Sequence, residues 1–181
     1  MATPHQVPAE IAIQVGDVRQ LINSLDPSPF RTRDLDRDAE EHVLGWAREL
    51  PGTAPIAVSV HLPAVAVEPS TQDELREIFS RHFGKAAEAC NSDLRELLRI
   101  GRIQLAIGFV VLLLCLGAGQ FLIATFGNGP AIQFIEQGLL ILGWVANWKP
   151  LETFLYDWWP IIRRRRLLRR LAAAEIRLVL S

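Results

Sequence analysis

The chain has 181 residues, 50% of them hydrophobic, and its formal net charge of −1 conceals an uneven distribution. Residues 1–99 carry 16 acids and 10 bases, a balance of −6, whereas residues 100–181 carry 4 acids and 9 bases, a balance of +5. The basic half indicates that one part of the chain meets an anionic surface. Two cysteines, Cys90 and Cys115, are too few for a disulfide framework. Because the N-terminal residues lack the pattern of a secretory signal, we expect the first half to stay in the cytoplasm.

The first 99 residues are typical of a small α/β domain. Residues 11–15 and 56–62 alternate between apolar and polar side chains, which predicts two strands. Residues 34–50 predict an amphipathic helix with Val43 and Trp46 on its apolar face. A further helix is predicted to start at Thr71 with a capping box and to run into the first apolar segment, either unbroken or with a break near residues 91–92.

The acidic residues at the start of the first helix raise the question of a metal site. Asp34, Asp36 and Asp38 alternate as in calcium loops, but the glycine and glutamate of that pattern are missing. Negative charge is also favoured in the first turn of a helix, so the sequence favours a solvated helix start over a metal site. The sequence has no phosphate loop, no nucleophile elbow and four scattered histidines, namely His5, His42, His61 and His82. We therefore predict no catalytic residue, no metal, no cofactor and no enzyme activity.

Two apolar segments predict a transmembrane hairpin over residues 100–149. Residues 103–126 contain no charged side chain, and these 24 residues would form a helix about 36 Å long, enough for a hydrocarbon core of about 30 Å. The alternative, a buried core helix, needs an interior that a small domain lacks. A glycine-rich break leads to residues 131–148, which would form a second helix of about 27 Å. Bases flank both outer ends of the hairpin and the connecting loop has no charge, so both termini are predicted to be cytoplasmic.

The hairpin symmetry predicts which residues of the two helices meet. Residue i should lie beside roughly residue 257 − i, given equal helix rise on both sides of the loop, which pairs Gln120 with Glu136 or Gln137. A stripe of small residues on the first helix, and a matching one on the second, should let the helices approach closely. These stripes are Gly101, Gly108, Cys115 and Gly119 on the first helix, and Glu136, Gly143 and Asn147 on the second. The candidate intramembrane polar residues are Gln120, Glu136 and Asn147. For Glu136 the sequence favours a contact between helices, and a proton or ion relay is the alternative.

Residues 150–173 predict an interfacial and basic helical segment on the inner leaflet. The stretch is too short to cross again, is rich in aromatic residues and should be kinked at Pro160. Six arginines fall within residues 163–170, and directly after a span they favour contact with anionic lipid over nucleic acid. The predicted lipid-contact residues are Trp148, Lys149, Tyr156, Trp158, Trp159, Arg163, Arg164, Arg165, Arg166, Arg169 and Arg170.

Residues 174–181 alternate as a strand, and a lone strand is not stable in water. Because the hairpin returns the chain to the side it left, this strand can join the N-terminal sheet. The predicted fold class is therefore an α+β membrane protein, with a two-helix transmembrane hairpin inserted in a small cytoplasmic α/β domain whose sheet is completed by the C-terminal strand.

Two segments carry a family resemblance. LDPSPFRTRDLDRDAEEHVLGWARELP, residues 25–51, and EQGLLILGWVANWKPLETFLYDWWPIIRRRR, residues 136–166, resemble stretches of an uncharacterised bacterial inner-membrane protein family. The WWP segment is the most distinctive part. The resemblance implies a bacterial inner (plasma) membrane location and brings no activity, cofactor or catalytic residue.

These features together predict a membrane-anchored interaction or scaffold protein that presents a small cytoplasmic domain at the inner leaflet. Its predicted partners are membrane lipids of the anionic inner leaflet and either a protein partner or further copies of the chain, without nucleic acid. The alternative is a small channel, transporter subunit or membrane sensor that uses Glu136 with Gln120 and Asn147. A packing role for Glu136 would tolerate its replacement by Gln, whereas a relay would lose proton coupling.

Overall fold

A computed structural model describes residues 9–23, 34–52, 54–63 and 71–180. The described chain combines a small parallel sheet with predominantly helical structure, and it divides into two compact units. The sheet unit comprises residues 1–90 and 163–181, and the helical unit comprises residues 91–162. His5 lies outside the described residues, and the domain boundaries given above remain predictions.

The sheet has three parallel strands in the order β1-β2-β3. Strand β1 is Ala9–Gln14, β2 is Ile56–Leu62 and β3 is Glu175–Leu180. The C-terminal strand pairs with β2, so the predicted third strand of the N-terminal sheet is confirmed. The central strand β2 is buried along nearly its whole length. Its sequence, IAVSVHL, has no acidic residue, lysine or arginine, which suits a strand that has a neighbouring strand on each side.

Helices bury one face of this sheet. The helical elements of the sheet unit are a 3₁₀ turn at Val18–Leu21, α1 at Arg37–Glu49, the first part of α2 (Thr71–Phe126) and the last part of α5 (Trp158–Ala172). Their apolar side chains and those of the strands form one core, because each element contributes a single apolar face. Its largest fully buried members include Ile11, Leu21, Val43, Val58, Leu75, Ile78, Phe79, Phe83, Leu168, Leu171 and Ile176.

Helix α1 turns a different face to the core than its sequence predicted. Asp36 is the N-cap, and its Oδ1 accepts a hydrogen bond from the Asp38 backbone N–H at 3.0 Å. Val43 and Ala47 are buried, but Trp46 is 52% exposed. The apolar face is therefore rotated away from Trp46, because the sheet accepts small and branched side chains from α1 rather than the indole.

The helical unit starts within α2, which runs from Thr71 to Phe126 without a break near residues 91–92. Gly127, with φ of 79°, takes the left-handed conformation that ends the helix. Helix α3 then covers Pro130–Ala146, two residues shorter at its end than the predicted second span.

The chain after α3 stays helical where prolines were expected to interrupt it. Helix α4 covers Trp148–Glu152, a π-helical turn covers Thr153–Asp157, and α5 begins at Trp158. Pro150 falls in the first turn of α4, where a missing backbone N–H costs little. Pro160 is the third residue of α5, which follows the π-helical turn directly. The local irregularity is the π-helical turn that precedes α5, not a break at Pro160.

Candidate functional site

Helices α2 and α3 contact each other along the stripe of small residues. A Cβ added at Gly108 would lie 2.7 Å from Asn147 Oδ1, and one added at Gly119 would lie 3.1 Å from Glu136 Cγ. In both pairs the residue numbers sum to 255, close to the predicted 257. Gly101, Gly108, Cys115 and Gly119 are all buried, in a stretch where most side chains are not. The sequence therefore identified the contacting face of α2.

The helix axes approach closely because glycines leave room for backbone. A Cβ at Gly143 would meet Leu112 Cδ1 at 2.7 Å and Leu112 Cα at 3.1 Å. Further along α2, a Cβ at Gly101 would lie 3.1 Å from the Thr153 methyl group. Close packing of this kind is the means by which helices associate when lipid removes the hydrophobic driving force between them.

Asn147 supplies a polar link within this contact. Its Nδ2 donates to the backbone carbonyl of Gly108 at 3.0 Å and to that of Gly143 at 2.9 Å, and the residue is only 7% exposed. The first bond joins α3 to α2 and the second stays within α3. Both donors of the side-chain amide therefore have backbone carbonyl partners.

The other two predicted intramembrane polar residues are placed differently. Gln120 is exposed, and the residue that faces Glu136 is its neighbour Gly119. Glu136 is partly buried, and in residues 91–162, all of which are described, it makes no hydrogen bond or ion pair. It meets α2 through its aliphatic carbons.

The outer surfaces of α2 and α3 are apolar and exposed. Only 17% of the most apolar 18-residue stretch of α2 is buried. Within the described part of the chain, α2 is the one helix long and apolar enough to cross a membrane. The core helix of a soluble protein would be mostly buried. Large exposed side chains on the two helices include Ile107, Phe109, Leu113, Leu114, Phe121, Phe134, Ile141, Leu142, Trp144 and Val145.

Aromatic and charged residues follow at the end of α3. Trp148, Tyr156 and Trp159 are exposed, whereas Trp158 is partly buried and its indole N–H donates to the Phe154 carbonyl at 2.9 Å. Lys149 Nζ lies 3.1 Å from Glu152 Oε2 and 3.7 Å from Asp157 Oδ2. The hydrogen bond to Glu152 and the charges of both acids raise the pKa of Lys149 above its ordinary value.

A groove of about 240 Å³ lies beside these residues in the helical unit. Gln104, Ile107 and Val111 line it from α2, and Ala146, Lys149 and Pro150 line it from the other side. Neither the periodicity nor the charge pattern of the sequence indicates this groove, because it forms only where elements distant in the chain meet.

The predicted arginines divide by exposure. Arg163, Arg164, Arg166 and Arg169 are exposed, and Arg165 is partly buried. Arg170 donates from Nη2 to the carbonyls of Pro51 and Ala54, at 2.7 and 2.6 Å. Arg170 thus holds the turn between α1 and β2, a role that its place in an arginine cluster did not indicate. Contact of the cluster with lipid stays a prediction.

A titratable cluster in the sheet unit was also not predicted. His82 on α2 lies with Nδ1 3.7 Å from Asp34 Oδ1 and with Nε2 3.2 Å from Glu40 Oε2, while Lys85 Nζ is 3.9 Å from Asp34. These contacts link α2 to the start of α1 and the residues just before it. No group of three or more His, Cys, Asp or Glu side chains that could hold a metal ion occurs within the described ranges.

Comparison of the chain with protein-family models, curated proteins and solved structures finds no match. The class of protein therefore rests on the chain's own geometry: a mixed helix and sheet protein with one long, exposed, apolar helix. The bacterial family resemblance stays a prediction.

Proposed function

We propose that the chain is a two-span membrane protein that anchors a small cytoplasmic domain and presents it to a partner, acting as an interaction or scaffold module. The observation that carries the proposal is the exposed apolar surface of α2 and α3. Contiguous apolar patches of this extent are rare on monomeric soluble proteins and mark contact with membrane or protein.

The internal contacts of the helix pair favour lipid as the surrounding medium. Polar contacts between the helices are few, and Asn147, the polar residue buried between them, has its amide satisfied by two carbonyls. Backbone groups in a bilayer must be satisfied internally, which two continuous helices achieve. Glycines at the contact give the close approach on which membrane helices depend.

The sheet supports the proposal of two crossings rather than one. Strands β1 and β3 belong to one sheet, yet they come before and after the helical unit in the chain. A chain that leaves this compartment through a membrane must return before β3, so the number of crossings is even. The residues available for the return are those of α3. Its 17 residues make a helix of about 26 Å. Because this is shorter than a hydrocarbon core of about 30 Å, we expect the bilayer to thin slightly around it.

An exposed aromatic residue supports the interaction role. Trp46 is half exposed on α1, with the His42 ring 6.2 Å away. Tryptophan is enriched among the residues that dominate protein interfaces. We propose the α1 surface around Trp46 as the partner-facing side of the domain.

Cysteine accessibility in intact cells tests the topology. In a chain whose own cysteines are replaced by alanine, Asn128→Cys should react with a membrane-impermeant maleimide from outside. Glu49→Cys on α1 should react only after the cells are permeabilised. Recovery of the full chain in the soluble fraction without detergent, or labelling of both positions from the same side, would disprove the proposal.

A mild-detergent purification with size measurement tests the interaction role. We expect a complex larger than the monomer, formed with another protein or a second copy, that is lost in Trp46→Ala and kept in Glu49→Ala. If the protein is found in membranes at its native abundance but purifies only as a monomer, the scaffold role is contradicted and the anchoring role is left intact.

A further inference from the structure

The groove of the helical unit is polar at one end and apolar along the rest. Gln104 and Lys149 lie at the same end, whereas Ile107 and Val111 follow Gln104 along α2. Gln104 and Val111 are seven residues apart, so the groove extends about 10 Å along the helix. Such a surface fits an amphiphile whose polar group is held at one end and whose chain lies along the helices.

This inference rests on the proposed membrane insertion, which places the polar end of the groove at the right depth. Gln104 is the second residue of the predicted first span and Lys149 follows the last residue of the predicted second span. The polar end therefore coincides with the expected headgroup level, and Val111 lies in the hydrocarbon region. A lipid acyl chain beside Ile107 and Val111 would fill space that neither helix fills.

Lys149 lines the polar end of the groove, and two acids beside it, which do not line the groove themselves, select among headgroups. Lys149 stands between Glu152 and Asp157, at 3.1 and 3.7 Å, so the three side chains together carry one negative charge. Thr153 donates its hydroxyl to Asp157 Oδ2 at 3.0 Å, which orients that carboxylate. A headgroup that offers only negative charge would compete with the two acids for Lys149. A headgroup with both a phosphate and an amine satisfies all of them, since the phosphate can meet Lys149 and Gln104 while the ammonium meets the carboxylates.

We propose that this groove binds one phospholipid whose headgroup carries a phosphate and a primary amine, as in phosphatidylethanolamine. The acyl chain packs against Ile107, Val111 and Ala146, and the headgroup bridges Lys149 and its two acids. All three charged side chains are partly exposed, so a headgroup can reach them.

Native mass spectrometry of the full chain tests the proposal. The protein is placed in phosphatidylcholine bilayers that contain equal amounts of phosphatidylethanolamine and phosphatidylglycerol, and the lipids it retains on release are identified. We expect one phosphatidylethanolamine retained with about fivefold preference over phosphatidylglycerol, about 1 kcal/mol. Retention of both lipids in bilayer proportion, by a protein that inserts normally, would overturn the lipid site and leave the membrane proposal standing. A chain that fails to insert would overturn both.

Matched variants locate the site. Ala146→Phe fills the groove and should abolish the retained lipid, whereas Val145→Phe, at the exposed neighbouring position, should not. The double variant Glu152→Gln and Asp157→Asn removes two charges without changing side-chain size, and the asparagine oxygen can still accept from Thr153, so the fold stays testable if Ala146→Phe is unstable. That double variant should lose the preference for the amine headgroup and favour phosphatidylglycerol. Unchanged selectivity in the double variant would overturn the proposal.

Discussion

The Asn147 side-chain amide donates a hydrogen bond to the backbone carbonyl of Gly108, 3.0 Å away and 39 positions earlier in the chain. The bond exists because Gly108 has no side chain: a Cβ there would lie 2.7 Å from Asn147 Oδ1 and 3.0 Å from the Ala146 carbonyl. Two residues that the sequence placed on the contacting stripes of the two helices thus form a specific polar contact.

Gly108→Ala should destabilise the helix pair, because the added methyl group meets a backbone carbonyl and a buried amide that have little room to move. We expect a loss of about 1 to 3 kcal/mol in the free energy of unfolding, as for other overpacked sites. Unfolding in mixed micelles, followed by circular dichroism, measures it. Gly117→Ala is the matched control, since nothing lies within 4 Å of a Cβ at that position. Equal stability of the two variants would contradict the close approach at Gly108.

Asn147→Leu should weaken the same contact for a different reason. It removes the donor to Gly108 and Gly143, and interhelical hydrogen bonds in membranes contribute about 0.6 to 2 kcal/mol. The same unfolding measurement applies. Gln120→Leu serves as the control, because Gln120 is exposed, and it should leave stability unchanged or slightly raised. A larger loss in Gln120→Leu than in Asn147→Leu would show that the polar link is elsewhere.

Glu136→Gln separates packing from proton transfer. Gln keeps the aliphatic carbons that lie on Gly119 and removes a carboxyl whose burial in lipid is costly, so stability should be unchanged or raised by up to about 1 kcal/mol. Proton flux into vesicles with a pH-sensitive dye should be at background for both forms of the protein. Flux that is present in the native chain and lost in Glu136→Gln would favour the channel or transporter alternative.

Arg170→Ala should loosen the turn between α1 and β2. Its guanidinium donates to the Pro51 and Ala54 carbonyls, and loss of charge-assisted hydrogen bonds costs about 1.5 to 3 kcal/mol. Hydrogen exchange of the amides in β2 should become faster. Arg169→Ala, which changes an exposed neighbour, should leave exchange unchanged. If the β2 amides exchange equally fast in Arg170→Ala and Arg169→Ala, Arg170 does not hold the turn and acts only as a member of the surface arginine cluster.

Glu175 should make the stability of the sheet unit depend on acid pH. The two hydrogen bonds from Arg177, at 2.8 and 3.1 Å, lower the pKa of Glu175 in the folded chain below its ordinary value of 4.5. A lowered folded pKa means that the pair contributes stability above pH 4.5, and that this contribution is lost as the pH falls through the folded value. The stability difference between the native chain and Glu175→Gln should therefore be constant near neutral pH and shrink below pH 4.5. A stability difference that stays unchanged below pH 4.5 would contradict this role of the pair.

Local patterns in the sequence predicted much of the fold. The range of β2 was predicted to the residue, and the stripe of small residues identified the buried face of α2, because both follow directly from side-chain periodicity. The rotation of α1 could not be predicted, since its apolar and aromatic residues cover more than one face. Which of them is buried depends on the sheet that the helix meets.

The candidate site was predicted in part. Asn147 was identified as an intramembrane polar residue, but its partner is a backbone carbonyl, which has no sequence signature. Lys149 was expected to contact lipid. Its pairing with Glu152 is an i, i+3 contact within α4, whereas its contact with Asp157 involves the π-helical turn, and no proline rule predicts that turn.

What the sequence alone determined is the distribution of character along the chain: an acidic α/β part, a long uncharged stretch, an aromatic and basic segment and a final strand. These are properties of neighbouring residues, so composition and period reveal them. Tertiary structure alone decided which residues meet across large separations, including Arg170 with Ala54, His82 with Glu40 and the walls of the groove. Those contacts depend on the packing distances between elements, and a linear pattern of residue types does not contain them.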